Sequence, residues 1–314
     1  MKTTLVLIIT TRCNFKCKHC LRDYYTKQYD LPLDLIEKAL NEASELGFKH
    51  IAITGGEAIL YPNFSELIDL IVEKGFSWSI VTNGFFYKKY DSVIEKHKDK
   101  LKFIAISLDG GKEETHDYIR QKGSFKKVKE AAKYFVEKNI FVRLIYTVNS
   151  RNINEIEDFI KLALELKVNA VRLAGIIPTE FNQDLRLEWE QKVRVYNYLQ
   201  ELKKQNLGLE ITNTTSLFSV TDAEKFCGNI NDHEPAINAY GEYIFCCDTI
   251  GQGAVLGDLK EKTFSELYIL GLKQAAALKK ERIRRIINKE FFKDFNSCHF
   301  CNTILAEKIK NKNK

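Results

Sequence analysis

Six short runs rich in β-branched residues alternate with helical patterns, and this alternation constrains the fold more than any other feature. The predicted strands are Leu5–Thr10, His50–Thr54, Ser77–Thr82, Lys102–Ser107, Ile140–Val148 and Asn169–Ala174. The predicted amphipathic helices are Leu33–Leu46, Phe64–Lys74, Lys88–Lys98, Phe125–Lys138 and Ile153–Leu166. Connections of that length return each strand in the same direction, which makes the sheet parallel. We therefore predict an α/β fold built from successive βα units.

Two of these helices have the spacing of a capping box at their start. Asn63 precedes Glu66 by three positions, and Asn152 precedes Glu155 by three. In a capping box the first side chain accepts a hydrogen bond from a helical N–H, and the second side chain reaches back. We expect helices that begin just after both asparagines.

The pattern changes after Ala174, where the regular alternation ends. The later elements are a helix over Leu185–Lys204, a strand over Gly208–Thr212, a hairpin over 236–246 with its turn near Tyr240 and Gly241, and a basic helix from about Thr263. We divide the chain into a core domain over residues 1–206, a small C-terminal α+β domain over 207–305 and a basic tail over 306–314.

Composition excludes several classes of protein. Hydrophobic residues make up 45% and charged residues 29% of the 314 positions, which is ordinary for a globular chain and excludes disorder. No apolar run reaches the roughly 18–20 residues that a membrane span needs. The apolar start at Leu5–Ile9 is too short for a signal peptide and lacks a cleavage site. Eight cysteines without an export signal favour the cytoplasm, and they favour ligand or catalytic roles over disulfides.

The net charge of +6 comes largely from the C-terminal region. The basic residues of one predicted helix are Lys279, Lys280, Arg282, Arg284 and Arg285, and the tail from Lys308 to Lys314 adds more. We interpret them as a solvated helix face and a frayed end. Because no aromatic or base-reading motif accompanies the charge, the sequence does not favour a nucleic-acid partner.

Three cysteines lie in one short loop after the first predicted strand. Cys13, Cys17 and Cys20 are separated by three and two residues, so their thiolates can reach three corners of one iron–sulfur cube. Three ligands leave the fourth iron open to a small molecule. Zinc is the alternative, but a structural zinc needs a fourth local ligand, and His19 is poorly placed between two of the cysteines.

Polar or glycine motifs follow the other predicted strands. These motifs are Gly55-Gly56-Glu57, Thr82-Asn83-Gly84, Ser107-Leu108-Asp109-Gly110, Thr147-Val148-Asn149 and Arg172-Leu173-Ala174-Gly175. Each motif is weak by itself, since glycines and Asn-Gly pairs usually mark turns. In a parallel α/β barrel, however, the carboxyl ends of the strands meet at the face where active sites form. The motifs and the cysteine loop therefore predict one shared site.

Together these motifs resemble those of the radical S-adenosylmethionine (radical SAM) superfamily, over about residues 4–175. The resemblance implies a partial (β/α)6 barrel in which Cys13, Cys17 and Cys20 hold a [4Fe–4S] cluster and SAM chelates the open iron. It also implies the chemistry: one electron cleaves SAM to methionine and a 5′-deoxyadenosyl radical, which abstracts a hydrogen atom from the substrate.

The resemblance implies roles for several other residues. Gly55, Gly56 and Glu57 bind the methionyl amine, Asn83 and Ser107 face the methionyl carboxylate or ribose, and Arg120 pairs with the SAM carboxylate. Arg120 closes a stretch that is similar to the sulfatase-maturase type but one residue longer. His19 takes a usually aromatic position near the adenine, and Ala58 stands where many relatives have proline.

The other five cysteines are Cys227, Cys246, Cys247, Cys298 and Cys301. Their spacing around Gly241 resembles the auxiliary-cluster "twitch" domain, a shortened SPASM domain, over about residues 210–305. The resemblance implies one further [4Fe–4S] cluster, with Cys227, Cys246, Cys298 and Cys301 as its ligands. Zinc is again the alternative, because four cysteines also bind zinc well.

Cys247 is the one cysteine that is not needed as a ligand of either cluster. Adjacent residues of a strand point to opposite faces, so we expect Cys246 and Cys247 not to share one cube. The spacing from Gly241 selects Cys246 as the ligand. Cys247 is then either a buried small hydrophobe or a catalytic hydrogen-atom donor, with Asp248 as a base or turn cap. The cysteine pair is similar to that of radical SAM peptide epimerases.

The leading hypothesis is a radical SAM enzyme that acts on a ribosomally made peptide and epimerises a Cα centre. Its partners would be this peptide and a reductant such as flavodoxin or ferredoxin, with no membrane, and the basic helix would attract an acidic leader. The second hypothesis is a dehydrogenase or epimerase of a sugar-like small molecule in antibiotic biosynthesis. The third is an iron–sulfur electron carrier or sensor, which would make no use of Glu57, Asn83 and Ser107.

Overall fold

Helices and strands alternate through most of the chain in the computed structural model, which describes residues 4–21, 27–217, 227–249, 255–288, 290, 298 and 300–305. The strands are β1 (Thr4–Ile8), β2 (His50–Thr54), β3 (Ser77–Thr82), β4 (Leu101–Ser107), β5 (Val142–Val148), β6 (Ala170–Gly175), β7 (Glu210–Asn213), β8 (Ala236–Ile237), β9 (Glu242–Ile244) and β10 (Val255–Asp258). The α-helices are α1 (Leu33–Glu45), α2 (Phe64–Glu73), α3 (Asp91–His97), α4 (Glu113–Ile119), α5 (Ser124–Glu137), α6 (Ile156–Glu165), α7 (Trp189–Lys204), α8 (Gly228–Asp232) and α9 (Phe264–Ile287).

All of these strands belong to one 10-stranded sheet, in the order β10-β9-β8-β1-β2-β3-β4-β5-β6-β7. The strands from β1 to β7 pair in sequence, and every pair is parallel. Within the described ranges β7 and β10 form the two edges, so the sheet stays open. The predicted α/β fold with a parallel sheet is confirmed, and the carboxyl ends of β1 to β6 lie along one edge as the motifs require.

The helices form where apolar residues recur at three- and four-residue intervals. In α1 the buried side chains include Ile36, Leu40 and Ala43, which share one face of the helix. In α2 the buried face includes Leu67 and Ile71. Full burial of each large apolar side chain stabilises the fold by about 1.5–3 kcal/mol, so these faces hold the helices on the sheet.

The two predicted capping boxes are wrong. Neither Asn63 nor Asn152 makes a side-chain cap at the helical segment that follows it. Asn152 instead donates to the backbone carbonyls of Asp109 and Thr147, at 3.0 and 2.9 Å, because tertiary neighbours compete for its amide. A capping box does begin α9, where Thr263 Oγ1 accepts from the N–H three residues later at 3.2 Å.

The C-terminal elements extend the sheet at both edges. β7 confirms the strand predicted over Gly208–Thr212 and continues the parallel row past β6. The predicted hairpin is also confirmed: β8 lies parallel to β1, and β9 and then β10 follow in antiparallel pairs. The domain division at residue 206 stays a prediction, and the basic tail over 306–314 lies outside the described residues.

The last helix and the hairpin enclose a small apolar cluster of their own. Its buried members are Ile230, Phe245, Ala275, Leu278, Phe300, Cys301, Ile304 and Leu305, and it is separate from the main core. The helix α9 also contacts α1, since Ser265 N donates to Glu42 Oε2 at 2.8 Å. Within the described ranges, no helix combines the length and apolar character that a membrane span requires.

Candidate active site

The first cysteine loop runs from the end of β1 across the carboxyl edge of the sheet. Cys13 is exposed, whereas Cys17 and Cys20 are half-buried. The N–H of Cys20 donates to the Cys17 carbonyl at 3.1 Å, and the N–H of Lys18 donates to the Ile119 carbonyl at 2.9 Å. The second bond joins the loop to Ile119, the last residue of α4. The loop is therefore held both at the end of β1 and at the end of α4.

Gly55 and Gly56 hold the start of this loop against the end of β2. Gly56 N donates to Thr10 O and Glu57 N donates to Arg12 O, both at 2.7 Å. A Cβ on Gly55 would lie 2.9 Å from the Thr10 carbonyl oxygen, and one on Gly56 would overlap the Arg12 carbonyl. Only glycine permits this close backbone approach, so both glycines position the cysteine loop.

The carboxylate of Glu57 is buried and bonded within the protein. Its Oε1 accepts from Thr82 Oγ1 and from Tyr90 OH, both at 2.7 Å, and its Oε2 accepts from Asn83 N at 2.8 Å. Burial raises the pKa of Glu57, and the hydrogen bonds from Asn83, Tyr90 and Thr82 oppose that rise. The carboxylate thus holds the loop after β3 in place, and its predicted contact with SAM stays a prediction.

Asn83 joins the end of β3 to the cysteine loop. Its Nδ2 donates to Asn14 Oδ1 at 2.9 Å, and its Oδ1 accepts from Phe85 N at 2.9 Å. The ring of Phe85 also meets the ring of Phe15 edge-on, with centroids 5.7 Å apart. Ser107, the last residue of β4, is buried at the same edge of the sheet. Asn83 therefore contacts the first cysteine loop, and Ser107 lies at the same edge of the sheet.

Asp109 belongs to one of the strand-end motifs, but sequence reasoning assigned it no role of its own. Its Oδ2 accepts from His19 Nε2 at 2.6 Å and from Arg120 Nε at 2.5 Å, and its Oδ1 accepts from Thr147 N at 2.6 Å. Burial would raise the pKa of Asp109, but the charges of Arg120 and His19 outweigh it and hold that pKa well below its usual range. The sequence signal for it was an acid between the end of a strand and two glycines.

Arg120 lies between this carboxylate and the cysteine loop. Its Nη1 is 3.9 Å from Cys17 Sγ, and its side chain is only 10% exposed. The structure thus brings Arg120 to the site that the sequence predicted, and it adds Asp109 as a partner. His19, expected near an adenine ring, bonds to the same carboxylate.

The thiols of this loop are chemically suited to a cluster. Burial raises the pKa of Cys17 to about 12, the charge of Arg120 opposes the rise, and the neighbouring Cys20 and Cys13 add to it. The neighbouring thiols therefore disfavour the thiolate form of Cys17, and cationic iron would relieve this repulsion. The donor set fits a [4Fe–4S] cluster with three ligands. Within the described ranges, no group of three or more His, Cys, Asp or Glu side chains is arranged to hold a single metal ion.

The second cysteine set gathers around the small apolar cluster of the C-terminal region. Cys301 is a buried member of that cluster, and Cys227 and Cys246 pack against it. Cys298 lies three positions before Cys301 in a helical segment, and residues with that spacing share one helix face. The structure therefore places three of the predicted auxiliary ligands on one small apolar cluster, and the fourth lies three positions before Cys301 in the chain.

Arg282 of α9 is fully buried beside these thiols. Burial raises the pKa of Cys301 to about 12, with Cys227 adding to the rise and Arg282 opposing it. Burial also raises the pKa of Cys227, and the charge of Arg282 again acts in the opposite direction. A buried guanidinium thus favours the thiolate forms that a metal requires.

The argument that placed Cys247 on a strand is wrong. β9 ends at Ile244, and Cys247 opens a short 3-10 turn that ends at Thr249, so strand alternation does not separate it from Cys246. A hydrogen bond with Cys247, followed by burial, raises the pKa of Cys246 well above its usual value.

The surroundings of Cys246 and Cys247 nevertheless differ. Cys246 packs on the small C-terminal cluster, whereas Cys247 packs with Ile8, Ala236 and Ile244 beside the end of β1. Cys247 Sγ lies 3.8 Å from the Asp248 carboxylate. The donor role of Cys247 stays a prediction.

The basic face of α9 is partly paired with acidic side chains. Arg284 pairs with Glu281 and with Glu290 at 2.9 and 2.8 Å, and Arg285 pairs with Glu281 at 2.9 Å. Arg282 is buried. Part of this charge is therefore paired within the helix and its flank, and the attraction of an acidic leader peptide stays a prediction.

Residues 7–163, half of the 314-residue chain, match the model of the radical SAM superfamily. The chain belongs to this superfamily. Membership implies a [4Fe–4S] cluster and SAM as cofactors, and the loop of Cys13, Cys17 and Cys20 supplies suitable ligands. The predicted family is confirmed.

Curated relatives are named for different activities. The antilisterial bacteriocin subtilosin biosynthesis protein AlbA of Bacillus subtilis is 30% identical over 165 residues, which cover 52% of this chain and 37% of AlbA. A GTP 3′,8-cyclase of Syntrophomonas wolfei is 32% identical over 179 residues, which cover 54% of each chain. The Fe-coproporphyrin III synthase of Methanosarcina barkeri is 30% identical over 195 residues, 60% of this chain and 48% of the synthase. The chain thus spans between 37% and 54% of the length of these relatives.

Two solved structures are similar over most of the chain. Streptococcus suis SuiB bound to S-adenosylmethionine has a TM-score of 0.71 at 17% identity, covering 85% of this chain and 66% of SuiB. The enzyme anSMEcpe with bound AdoMet has a TM-score of 0.68 at 18% identity, covering 89% of this chain and 86% of that one. At such identities the similarity shows the fold alone.

Proposed function

We propose that this protein is a radical SAM enzyme that epimerises a Cα centre in a ribosomally synthesised peptide. The carrying observation is the joint placement of the first cysteine loop and of Cys247 at the β1 side of the sheet. Two relatives support a peptide substrate: AlbA is named for the biosynthesis of a bacteriocin, and SuiB was solved with the precursor peptide SuiA.

The first site would divide its tasks among the residues described above. Cys13, Cys17 and Cys20 would ligate a [4Fe–4S] cluster, which together with SAM supplies a radical that abstracts a hydrogen atom. The backbone of Gly55 and Gly56 would bind the methionyl amine. Asn83 and Ser107 would line the carboxylate and ribose, and Arg120 would pair with the carboxylate, since opposite charges with directed N–H donors bind strongly.

Glu57 would position this site rather than touch the methionyl amine. Its carboxylate oxygens already accept three hydrogen bonds inside the protein. Its backbone N–H holds the cysteine loop through the Arg12 carbonyl. We therefore assign the amine contact to backbone carbonyls of the motif and give the Glu57 side chain the task of holding Asn83.

The second site would hold an auxiliary [4Fe–4S] cluster. Its ligands would be Cys227, Cys246, Cys298 and Cys301, which either belong to the small C-terminal cluster, pack on it or lie one helical turn away. The buried Arg282 supports a metal at this place, because its charge favours thiolates there. All eight cysteines lie within the described ranges and none of them forms a disulfide there, which agrees with ligand roles and with a cytoplasmic enzyme.

Cys247 would return the hydrogen atom. After a hydrogen atom leaves Cα, the S–H bond of Cys247 breaks and a C–H bond forms on the opposite face of the carbon. The sulfur radical left on Cys247 then takes one electron and one proton, and a flavodoxin or ferredoxin supplies the electron. The contact of Cys247 with Ile8, at the end of β1, supports this role, since the first cysteine loop follows that strand.

A second candidate is a small-molecule radical SAM enzyme, for example a dehydrogenase or epimerase of a sugar-like compound. The GTP 3′,8-cyclase relative supports it, because its name specifies a nucleotide substrate and its match covers 54% of this chain. In that case a substrate radical would lose an electron to the auxiliary cluster or be reduced, and no leader peptide would be needed.

The test is an anaerobic reaction with SAM, a reductant and a candidate precursor peptide in D2O. We expect 5′-deoxyadenosine and a peptide with one deuterium at an inverted Cα. The variant Cys247→Ala should still release 5′-deoxyadenosine and keep its iron, but it should not invert the centre. Formation of 5′-deoxyadenosine would exclude an electron carrier. A product without solvent deuterium, or normal inversion by Cys247→Ala, would disprove the donor role.

A further inference from the structure

The main chain of Asp109 is anchored independently of its carboxylate. Its N–H donates to His116 Nδ1 at 3.0 Å, and its carbonyl accepts from Asn152 Nδ2 at 3.0 Å. Asn152 Nδ2 also donates to the Thr147 carbonyl at 2.9 Å. His116, Asn152 and Asp109 are all buried. The backbone therefore offers this carboxylate a single position.

The carboxylate itself ties three elements together. It receives His19 from the first cysteine loop, Arg120 from the end of α4, and the N–H of Thr147 from β5. His19 lies 90 positions from Asp109 along the chain, so this contact exists only in the folded barrel. A buried carboxylate is costly unless it is well paired. Here His19, Arg120 and Thr147 all pair with the carboxylate, which offsets the cost of burial. The same contacts hold Arg120 in one geometry beside Cys17.

The bond to Asp109 sets the orientation of Arg120. Guanidinium is a planar fork of five N–H donors, so fixing Nε on one acceptor fixes the plane of the whole group. With Nε on Asp109 and Nη1 3.9 Å from Cys17 Sγ, the direction of the remaining donors is determined. Binding to a pre-oriented guanidinium costs less conformational entropy, because the arginine side chain does not have to be ordered when the ligand binds.

We propose that Asp109 is a positioning residue for the SAM site, which acts by holding Arg120 and His19 in one orientation against the first cysteine loop. This inference rests on the proposed contact of Arg120 with the SAM carboxylate. It does not depend on which substrate the enzyme modifies, so it is tested in the absence of substrate.

The experiment compares Asp109→Asn with wild type as anaerobically reconstituted holoprotein. We expect the SAM dissociation constant to rise about 10- to 100-fold, which is typical when a partner that orients a ligand-binding group is removed. Iron content should stay at the wild-type value, and the change that SAM causes in the EPR spectrum of the reduced cluster should need correspondingly more SAM. A loss of iron would show that Asp109 holds the loop itself, and would overturn the proposal.

Glu155 offers a matched control. Its carboxylate accepts from Gly111 N at 3.1 Å and from Thr115 Oγ1 at 2.5 Å, in the segment that follows Asp109. The variant Glu155→Gln therefore removes a carboxylate from the same region without touching Arg120. We expect its SAM affinity to match wild type. An equal weakening in Glu155→Gln and Asp109→Asn would mean that general loosening of this segment explains both.

A double-mutant cycle separates action through Arg120 from independent action. If Asp109 acts through Arg120, the double variant with Arg120→Gln should bind SAM no more weakly than Arg120→Gln alone. Additive losses would overturn the proposal. Should Asp109→Asn fail to fold, the same comparison decides, because the double variant removes both charges of the pair.

The single variants distinguish the two proposals. If Arg120→Gln binds SAM like wild type, the proposed contact between Arg120 and SAM is wrong, and the positioning proposal fails with it. If Arg120→Gln is weakened while Asp109→Asn is unchanged, the contact stands and only the positioning proposal fails.

Discussion

The two cysteine regions each place a buried arginine beside their thiols, but they treat its charge differently. At the first site burial would lower the pKa of Arg120, and the charges of Asp109 and Cys17 outweigh it so that this pKa is raised. At the second site burial lowers the pKa of Arg282, and the opposing charges of Cys227 and Cys301 do not offset it. The difference comes from the buried carboxylate of Asp109.

This difference indicates two uses of the same residue type. Arg120 also opposes the rise in the pKa of Cys17, but Asp109 pairs with it and fixes the direction of its N–H donors. In the C-terminal region, the charge of Arg282 acts on the thiols, so its value lies in making thiolates easier to form. We expect changes at the first site to alter SAM binding, and changes at the second site to alter metal content.

Removing ligands should give the largest contrast between the regions. The fully loaded protein should hold about eight irons, as two cubes require. Changing Cys13, Cys17 and Cys20 together to Ala should leave about half of this iron and abolish SAM cleavage. Cys298→Ala should remove the other half and leave uncoupled SAM cleavage measurable. Iron analysis and 5′-deoxyadenosine assays check both, and cleavage that survives the triple change would refute the assignment of the first site.

Arg282→Met should separate the two arginines. Without the guanidinium, the thiols of Cys227 and Cys301 lose the charge that lowers their pKa values, so we expect the iron of the second site to be lost or labile. SAM affinity should stay at the wild-type value. Lys279→Met, on an exposed position of the same helix, is the control and should keep all its iron. A wild-type iron content in Arg282→Met would show that the charge of Arg282 is not needed for the second cluster, and would contradict the proposed difference between the two arginines.

A pair of glycine substitutions should disturb one region at a time. In Gly56→Ala the new methyl group would overlap the Arg12 carbonyl and displace the first cysteine loop. In Gly271→Ala it would overlap the imidazole of His233, which is buried beside α8. Overpacking of this kind costs about 1–3 kcal/mol. We expect SAM cleavage to fall mainly in Gly56→Ala and auxiliary iron to fall mainly in Gly271→Ala. The opposite pattern would contradict the assignment of Gly56 to the first cysteine site and of Gly271 to the auxiliary site.

The smallest expected effect concerns pH and His233. Burial lowers the pKa of His233 from 6.5 to about 4. Because the pKa of His233 is lower in the folded state than in the unfolded state, the neutral imidazole contributes to the free energy of unfolding fully above pH 6.5. This contribution is lost as the pH falls towards 4. Between pH 7 and pH 5 the free energy of unfolding should fall by about 2 kcal/mol. Thermal unfolding of wild type should therefore shift downwards over that range, and the shift should shrink in His233→Gln.

His116 provides the comparison within the first region. Burial, with the charge of Arg120 in support, lowers its pKa to about 4 as well, so its contribution has the same sign. The pH dependence should for that reason not vanish in His233→Gln. An unchanged pH dependence in that variant would show that His233 does not titrate as proposed.

Local patterns allowed much of the fold to be predicted. The predicted strands His50–Thr54 and Ser77–Thr82 coincide with β2 and β3. The first cysteine loop, the glycine motif after β2 and the hairpin of β8 and β9 were also visible in the sequence. Periodicity and spacing depend only on residues that are close in the sequence, so they can be recognised without knowledge of distant contacts.

Only the tertiary structure decided what the buried polar groups do. Asp109 meets His19 over 90 positions, and Arg120 meets Cys17 over 103. Glu57 turned towards Thr82 and Tyr90. The partner of a buried charge is chosen by desolvation, which depends on every element that packs around it. The sequence by itself therefore determined which strands form and where the cysteines lie, while packing decided which charges face them.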